Sequence, residues 1–536
     1  MARFLNRYIS IDILALLFCL AILVFSLVIG YFRQVGAFGV ETDFYGVYAI
    51  ETANILAGQP YTYQHNPPGY CLLLAAITYL TGDSFSAGKL ISAFATAIFG
   101  EINYLLLKSL FNAKIALIVT IVTLLAIIPS PLVASTDVVG AAFIILPIWL
   151  FICPTLSLEF NYFLSGITAG IAYLIRTNAI FVIVGIIVSL ILLNPHQQTF
   201  RKRWWGVTLV IGGLILIVSP WLIYNWQING SPFASTTYAQ IAAHFYHPQG
   251  DELITSVNEM NHRFNSLSEV IFYKSGQLFI QYFEDILLVN IPKIIVSDFV
   301  FRYVDFPIYQ LLILPPLILF FVSFLFFIDD LFCKNKLIKE QNISQKRQSF
   351  LLINFLGYLV LGLVGFNRRY YLFFLPCVFL IVIYPIYYQR FGKQILKVRL
   401  LKLAISSILI ILINISLTIA ASVQTYSLIV SEPRYLLEIA AFLKNRATPN
   451  QVIIVRKPHL AYLAGLKQVF PLAKNAEEYL AEARKIQASY IVYSDYEATL
   501  YPGLKFLENP QSVPQNFQLI YRHQPSNTLV YEIKKY

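Results

Sequence analysis

The stretch DILALLFCLAILVFSLVIGY, residues 12–31, decides the fold class of this chain. Asp12 is its only charged residue, and a helix of about 20 apolar residues is long enough to cross the hydrocarbon core of a bilayer. No small-residue cleavage site follows it, so we expect a retained first helix rather than a signal peptide. The stretch therefore predicts an integral membrane protein.

Further apolar runs extend this prediction to a polytopic α-helical membrane protein. Of the 536 residues, 58% are hydrophobic and only 12% are charged, whereas a soluble protein needs roughly 25% charged residues to cover its surface. Runs near the bilayer-spanning length predict about eleven transmembrane helices. Their approximate ranges are 12–31, 86–107, 114–134, 138–153, 161–176, 178–193, 206–227, 308–332, 349–366, 370–388 and 402–423.

Basic residues set the predicted orientation of these spans. With a cytoplasmic N-terminus and one crossing per span, nearly every dense basic cluster falls in a cytoplasmic loop, as the positive-inside rule requires. The net charge of +11 is therefore assigned to membrane topology and not to a nucleic-acid partner. The apolar segment 67–80 is too short to span, and counting it would invert every later loop. We expect it to form a helix on the outer membrane surface.

The topology predicts two domains. Residues 1–428 form a multi-span transmembrane domain with external loops at 32–85 and 228–307, and residues 429–536 form an extracytoplasmic domain. Strand patterns, one amphipathic helix and a turn at 525–527 predict a small α/β fold for the second domain. The strands are placed at Val452–Val455, Tyr490–Tyr493, Phe517–Tyr521 and Leu529–Ile533, and the helix at Ala476–Ala488.

The first external loop contains two motifs, ETDFY from residue 41 and QHNPPGY from residue 64. They predict two surface helices. Thr42 or Asp43 would cap the first helix, Gly58 would end it, and Asn66 would cap the second. Such residues fit ordinary helix boundaries, but the loop is rich in aromatic residues and its acids lie beside the bilayer. Both a structural and a functional interpretation therefore remain open.

Outward-facing arginines indicate an anionic ligand. Arg368 and Arg369, followed by Tyr370, lie at the outer N-terminal end of a predicted span, against the positive-inside tendency and at the positive end of a helix dipole. An anion bound between the arginines would reverse both unfavourable effects, and a lipid phosphate is the obvious candidate. Generic contact with lipid headgroups is the alternative.

Two more residues are predicted on the same side of the membrane. Asp137 follows the third span, and Arg176 ends the fifth. Each also has a structural interpretation, because Asp137 fits a helix N-cap and Arg176 fits a snorkelling residue at the negative end of a helix.

The stretch from residue 41 to residue 100 resembles the dolichyl-phosphate-mannose protein mannosyltransferase superfamily, glycosyltransferase family 39, which includes the bacterial aminoarabinose transferases of the ArnT type. The resemblance extends through most of the membrane portion and weakens in the last hundred residues of the chain. It implies the GT-C fold. It rests on Asp43, an Ala-rich helix ending near Gly58, Tyr61, the Pro-Pro-Gly-Tyr segment ending at Tyr70, Gly82 and the Lys89-Leu90-Ile91-Ser92 stretch.

The resemblance also implies roles for single residues. Asp43 matches the catalytic aspartate that acts on the acceptor, and Asp137 matches a second family aspartate. Two positions depart from the family pattern, with Phe44 where many members have Glu and Asn66 where many have Lys. We expect the carrier phosphate to be bound by Arg176, Arg368, Arg369 and Tyr370, and the substrate loop to present Tyr45, Tyr61, His65, Asn66 and Tyr70.

The predicted function is an inverting membrane glycosyltransferase. It would move a hexosyl or pentosyl group from a polyprenyl-phosphate carrier to a lipid, glycan or protein acceptor on the extracytoplasmic side. No cofactor is required, although a divalent cation could share the stabilisation of the leaving phosphate. We predict no protein metal site and no disulfide, because the five cysteines form no C-x-x-C pair and the His244-x-x-His247 spacing lacks matching acids.

Two other function classes are weighed against this enzyme. A transporter or flippase of a lipid-linked glycan should carry charged residues at mid-membrane depth in corresponding halves, and Glu101 has no matching set. A membrane scaffold would leave the outward arginines unexplained.

Overall fold

The computed structural model describes residues 10–38, 40–246, 253–286, 324, 338–363, 368–387, 415, 417–419, 422–448 and 450–534. Within these ranges the chain forms a helical membrane domain and a small α/β domain. The predicted spans 308–332 and 402–423 lie almost entirely outside the described residues.

Side-chain caps fix where several helices of the membrane domain begin. Its first helices are α1 Ile11–Tyr31, α2 Ala49–Leu56, α3 Gly69–Thr81, α4 Ser84–Leu110, α5 Ala113–Ala126, α6 Thr136–Ile152, α7 Leu158–Ile175, α8 Ile180–Val188 and α9 Phe200–Asn229. Ser10 caps α1, Asp83 caps α4, Asn112 caps α5 and Ser135 caps α6. In each case a side-chain oxygen accepts a hydrogen bond from a backbone N–H that the helix leaves unpaired.

Four helices in the described part of the chain, α1, α4, α7 and α9, are long and apolar enough to cross a membrane. α3, α5, α6 and two further segments are apolar but shorter. Leu17 of α1 and Leu216 of α9 are 50% and 58% exposed, as expected for helix faces that contact lipid instead of water. The prediction of an integral membrane protein is confirmed, whereas the count of eleven spans stays a prediction.

Two predicted spans differ in extent from the helices that form. The span predicted at 114–134 is too long, because α5 ends at Ala126 and a 3-10 turn, Ser130–Leu132, follows. Pro129 and Pro131 lack the backbone N–H that a further helical turn would need, which disfavours continuation of α5. The span predicted at 178–193 is irregular, since α8 passes into a π-helical turn at Ser189–Leu193.

Close packing holds α7 against α9. A Cβ atom at Gly166 would lie 2.1 Å from the Val210 carbonyl oxygen of α9, and one at Gly213 would lie 2.3 Å from the Phe163 carbonyl oxygen. Glycine at both positions lets the two backbones touch, as is common between membrane helices. Arg176 follows directly at the C-terminus of this tightly held helix.

The remaining helices of the membrane domain follow α9 in the chain. They are α10 Thr237–Tyr246, α11 Leu253–Arg263, α12 Leu267–Tyr273, α13 Ser275–Glu284, α14 Ile338–Gly362, the 3-10 helix Arg368–Phe374 and α15 Leu375–Tyr387. The described part of the loop predicted at 228–307 is therefore largely helical. The span predicted at 370–388 begins as a 3-10 helix.

The first loop contains both predicted helices, but the residues predicted to cap their N-termini are wrong. Asp43 makes no capping hydrogen bond, and a π-helical turn, Phe44–Tyr48, leads into α2. Gly58 has φ +69° and follows the helix, as predicted. α3 begins at Gly69, not at Pro67, and its N-cap position is Pro68 instead of Asn66. A residue that precedes proline is disfavoured in helical conformation, so two successive prolines delay the start of the helix.

The C-terminal α/β domain is built on a mixed sheet. Its strands are β1 Val452–Ile454, β2 Lys467–Val469, β3 Ala488–Tyr493, β4 Phe517–His523 and β5 Thr528–Ile533, in the order β2-β1-β3-β5-β4. β1 pairs in parallel with β2 and β3, and β5 pairs antiparallel with β3 and β4. Its helices are α16 Tyr435–Arg446, α17 Pro458–Ala464, α18 Ala476–Ile486 and α19 Asp495–Leu500. The four predicted strands and α18 are confirmed.

Candidate active site

A polar cavity of about 130 Å³ lies where the first loop meets α6, the end of α7, α10 and the 3-10 helix Arg368–Phe374. Because these segments are far apart in the sequence, only the tertiary fold brings their side chains together. The predicted site residues that line the cavity are Asp43, His65, Asn66, Asp137, Arg176, Arg369 and Tyr370.

Asp137 is buried at the first turn of α6 and faces two arginines. Its Oδ1 lies 2.5 Å from Arg176 Nη1, and its Oδ2 lies 3.8 Å from Arg369 Nη1. The predicted N-cap role is wrong, because Ser135 caps the helix and its hydroxyl accepts a hydrogen bond from Asp137 N at 3.3 Å. The three side chains together carry one net positive charge, which suits this end of the cavity to an anion.

Two features let Arg176 reach Asp137. They are the extended backbone at Arg176 and the absence of a side chain at Gly140. Arg176 ends α7 with φ −147° and ψ 118°, an extended conformation that turns the chain away from the helix axis. Its side chain passes α6 at Gly140, where a Cβ atom would lie 2.5 Å from Arg176 Cδ. The guanidinium carbon lies 4.7 Å from the ring centre of Tyr370, a cation–π contact. Arg176 therefore points into the cavity and does not snorkel towards headgroups.

The 3-10 helix Arg368–Phe374 supplies Arg369 and Tyr370. Arg369 Nη1 donates to the carbonyl oxygen of Val40 at 3.4 Å, which ties this segment to the first loop. The side chain of Arg368 lies outside the described part of the chain, so its predicted role stays a prediction.

Asp43 differs from Asp137 in its surroundings. Asp43 is exposed on the cavity wall just before the π-helical turn. Among the described residues, no hydrogen bond or ion pair engages its carboxylate. A carboxylate that faces a cavity without a partner can accept a proton from a bound ligand, whereas one held by arginines is a poor base.

His65 and Asn66 form another part of the cavity wall. His65 Nδ1 lies 3.3 Å from Thr236 Oγ1. Burial lowers the pKa of the His65 imidazole, and Arg176 acts in the same direction while Asp43 opposes it. His65 is therefore neutral at pH 7. The Tyr61 hydroxyl donates to the Asn66 carbonyl oxygen at 2.8 Å and shapes this part of the loop.

Three predicted loop tyrosines do not line the cavity. Tyr45 and Tyr70 are each 1% exposed, and Tyr61 is 9% exposed. The Tyr45 hydroxyl accepts a hydrogen bond from Gly36 N at 3.1 Å, and the Tyr70 ring packs 5.0 Å from that of Tyr48. The structure places these three side chains beneath the loop, where they support it.

A buried ion pair that the sequence analysis did not single out fixes the backbone before both aspartates. Arg33 Nη2 lies 2.5 Å from Glu41 Oε2. The same carboxylate accepts hydrogen bonds from Ala37 N at 2.7 Å and from Ala134 N at 2.9 Å. Glu41 thus joins the segment that precedes Asp43 to the segment that precedes Asp137. No local pattern signals this pair, because its partners meet only through the fold.

Further lining residues were also missed by the sequence analysis. They are uncharged, and no periodicity or motif distinguishes them: Tyr48, Tyr63, Thr136, Asn178, Thr237 and Gln240. In the described part of the chain, no group of three or more His, Cys, Asp and Glu residues could hold a metal ion. His244 instead lies 2.9 Å from Asp285, and His247 lies outside the described residues.

The fold is shared with membrane glycosyltransferases of known structure. The archaeal oligosaccharyltransferase AglB from Archaeoglobus fulgidus, in complex with an inhibitory peptide and a dolichol-phosphate, matches with a TM-score of 0.55 at 12% identity over 99% of this chain and 75% of its own. ArnT from Cupriavidus metallidurans, bound to undecaprenyl phosphate, matches with a TM-score of 0.53 at 12% identity over 97% of each chain. At such identities the likeness concerns the fold, which is the predicted GT-C fold.

A comparison of the sequence with protein families gives a second, independent finding. Residues 65–224 match the dolichyl-phosphate-mannose-protein mannosyltransferase family, so the predicted resemblance is confirmed over these residues. The match includes Asp137 and Arg176, and it begins after Asp43. No curated protein matches the sequence.

Proposed function

We propose that this protein is an inverting glycosyltransferase that moves a sugar from a polyprenyl-phosphate carrier to an acceptor. The observation that carries the proposal is the asymmetry of the two aspartates in one cavity. Asp137 is held by Arg176 and Arg369, and Asp43 faces the cavity alone among the described residues. The arginines would hold the carrier phosphate, and Asp43 would act on the acceptor.

The reaction is a single displacement. Asp43 takes the proton of an acceptor hydroxyl as the oxygen attacks the anomeric carbon of the sugar from the face opposite the carrier. The bond between that carbon and the phosphate oxygen breaks, and its electron pair leaves with the polyprenyl phosphate. Attack from the opposite face inverts the anomeric configuration. Arg176 and Arg369 stabilise the charge that develops on the leaving phosphate.

An apolar groove supports a polyprenyl carrier. Its volume is about 450 Å³, and α3, α4 and α6 supply its apolar side chains. On α6, Val139, Ala142 and Leu146 contribute to the groove. The first of them is two residues from Asp137, roughly 3 Å along the helix axis but about 200° around it, so the groove lies on the opposite face of α6 from the Asp137 side chain. A carrier with its phosphate at the arginines would pass around the first turn of α6 to place its tail on this hydrocarbon surface.

The proposal includes the finer membrane arrangement. Eleven spans with a cytoplasmic N-terminus would place the first loop and the α/β domain outside the cytoplasm, where a lipid-linked donor presents its sugar. The acceptor is a lipid, a glycan or a protein, and the sugar is a hexose or a pentose. The arginines supply the charge that the leaving phosphate needs, so we propose that no cofactor is required.

Transfer assays on the full-length protein test the role of Asp43. We would measure transfer from radiolabelled polyprenyl-phosphate sugars to a membrane extract by wild type, Asp43→Asn and Asp83→Asn. Loss of a general base lowers the rate by about 10²–10⁴, so Asp43→Asn should be nearly inactive. Asp83→Asn is the matched control, because it removes a carboxylate from the same loop and asparagine still caps α4.

Each result has a distinct meaning. Transfer by wild type and Asp83→Asn but not by Asp43→Asn supports the proposal. Equal transfer by all three proteins removes Asp43 from the chemistry and redirects the search to Asp137. If wild type transfers no sugar from any donor but moves the carrier across liposomes, the protein is a flippase.

A further inference from the structure

The α/β domain contacts the turn that carries Asp43. Lys457 follows β1 and donates hydrogen bonds from Nζ to the Phe38 carbonyl oxygen at 2.7 Å and to Thr42 Oγ1 at 3.1 Å. Thr42 Oγ1 also donates to the same carbonyl oxygen. One ammonium group from the second domain therefore holds both ends of the single turn that ends next to Asp43.

Aromatic packing surrounds this contact. The His459 ring lies 4.5 Å from the ring of Tyr45 and 5.1 Å from that of Phe38, and the Tyr462 ring lies 5.3 Å from Tyr45. Phe38 and Tyr45 are on either side of Asp43 in the sequence. Packing of α17 against both rings fixes the loop from outside the membrane domain.

The α17 helix also touches the π-helical turn directly. A Cβ atom at Gly46 would lie 3.3 Å from Pro458 Cγ, so this close approach suits glycine. The turn that follows Asp43 is therefore held by the second domain, as is the turn that precedes it.

The charge state of Lys457 suits this role. Lys457 is half-buried, and burial lowers its pKa to about 8, with Arg456 acting in the same direction and Asp43 and Glu497 opposing it. The ammonium form therefore predominates at pH 7. Hydrogen bonds from a charged donor are shorter and stronger than neutral ones, which suits them to holding a loop in one conformation.

We propose that Lys457 is a positioning residue for Asp43, and that the α/β domain is in this way part of the active site. The inference rests on the proposed function, because it assigns Lys457 an effect on the base of that reaction. Lys457 touches neither donor nor acceptor in this proposal. It fixes the backbone from which the Asp43 carboxylate reaches the cavity.

The test compares full-length Lys457→Met with Lys505→Met. Lys505 is an exposed lysine of the same domain and serves as the matched control. Hydrogen exchange should become roughly tenfold faster at the amides of Glu41 and Tyr45 in Lys457→Met only, because charge-assisted hydrogen bonds to the turn are lost. In the transfer assay kcat should fall about ten- to hundredfold, as expected for a misplaced catalytic group. The KM for the donor should not change, since the arginines remain.

A second variant distinguishes loss of the Lys457 contact from misfolding of the α/β domain. Thr42→Val removes one acceptor of Lys457 without altering the α/β domain, and it should produce smaller changes of the same kind. Unchanged exchange at Glu41 and Tyr45 in both variants overturns the inference. A fall in kcat without faster exchange also overturns it. Faster exchange in a protein whose wild type transfers no sugar would uphold the contact as positioning the Asp43 turn and reject the glycosyltransferase function separately.

Discussion

The polar cavity and the apolar groove are built on the same helix, α6, but they differ in every other respect. The cavity has a volume of about 130 Å³ and contains two arginines and two aspartates. The groove, of about 450 Å³, is lined by aliphatic side chains and phenylalanines alone. The first turn of α6 supplies Asp137 to the cavity and Val139 to the groove, and the next turn supplies Ala142 to the groove.

The difference matches the two ends of an amphiphilic ligand. A phosphate requires paired cations and gains little from apolar walls, whereas a long hydrocarbon tail gains free energy in proportion to its buried area. One helix with a charged first turn on one face and an apolar surface on the other lets both ends of one molecule bind if its chain passes around that turn. The proposed carrier has a phosphate at one end and a hydrocarbon tail at the other. The following predictions test the cavity and the groove in turn.

The largest effect is expected in the cavity, from Arg176→Gln. The substitution removes a cation from the proposed leaving phosphate and leaves the buried Asp137 with only one arginine. Transfer should fall about 10²–10³-fold, as it does when a donor to developing negative charge is removed. Arg263→Gln, at the end of α11, is a control that removes an arginine from the loop predicted at 228–307. Equal losses in the two variants would contradict a specific role for Arg176.

Replacing Arg176 by lysine sharpens the same prediction. Lysine keeps the charge but loses the planar group that stacks on Tyr370 and meets Asp137. Arg176→Lys should therefore retain more transfer than Arg176→Gln but less than wild type. Full activity of the lysine variant would show that charge alone is needed.

A smaller effect is expected in the groove, from Ile98→Gln. Ile98 is half exposed at its margin, and a polar side chain there should weaken tail binding by about 1 kcal/mol, or roughly fivefold in KM. The effect should appear with a long carrier and vanish with a short-chain analogue. Ile215→Gln on α9, also half exposed, is the control. A change in KM that does not depend on the length of the carrier's hydrocarbon chain would contradict binding of the carrier tail in the groove.

The smallest effect is a difference in pH response between the two regions. Burial lowers the pKa of His65 below 6.5, so below about pH 6.5 the unfolded chain binds a proton that the folded chain does not. Stability is then complete above about pH 6.5 and is lost as the pH falls below it. Thermal unfolding in detergent between pH 8 and 5 should show a smaller decrease for His65→Gln than for wild type. Ile98→Gln should keep the wild-type decrease, and an identical decrease in all three proteins would contradict the prediction.

Local sequence was sufficient for much of the fold. The apolar length of α1 and the short buried run of β3 depend on neighbours in the sequence, so both elements were predicted. β2 was missed, because it has three residues at the sheet edge and none of them is buried. The start of α3 was misplaced, since Asn66 and Pro67 fit a helix N-terminus until the effect of Pro68 on its predecessor is considered.

The site was predicted less completely. Asp43 and Asp137 were singled out from the family resemblance, and Arg176 and Arg369 from charges predicted on the outer side of the membrane. Their pairing could not be predicted, because Asp137 and Arg369 are separated by more than two hundred residues and meet only in the folded chain.

The sequence by itself determined that this protein belongs in a membrane, because apolar length and the distribution of charge are local quantities that the bilayer selects directly. It also determined which charged residues were unusual enough to be candidates. Only the tertiary structure decided which aspartate is paired and which faces the cavity. It also decided that Lys457 and Glu41 hold the turn around Asp43. Hydrogen bonds and ion pairs act over a few ångströms, so the partners of a buried charge are fixed by packing and not by order along the chain.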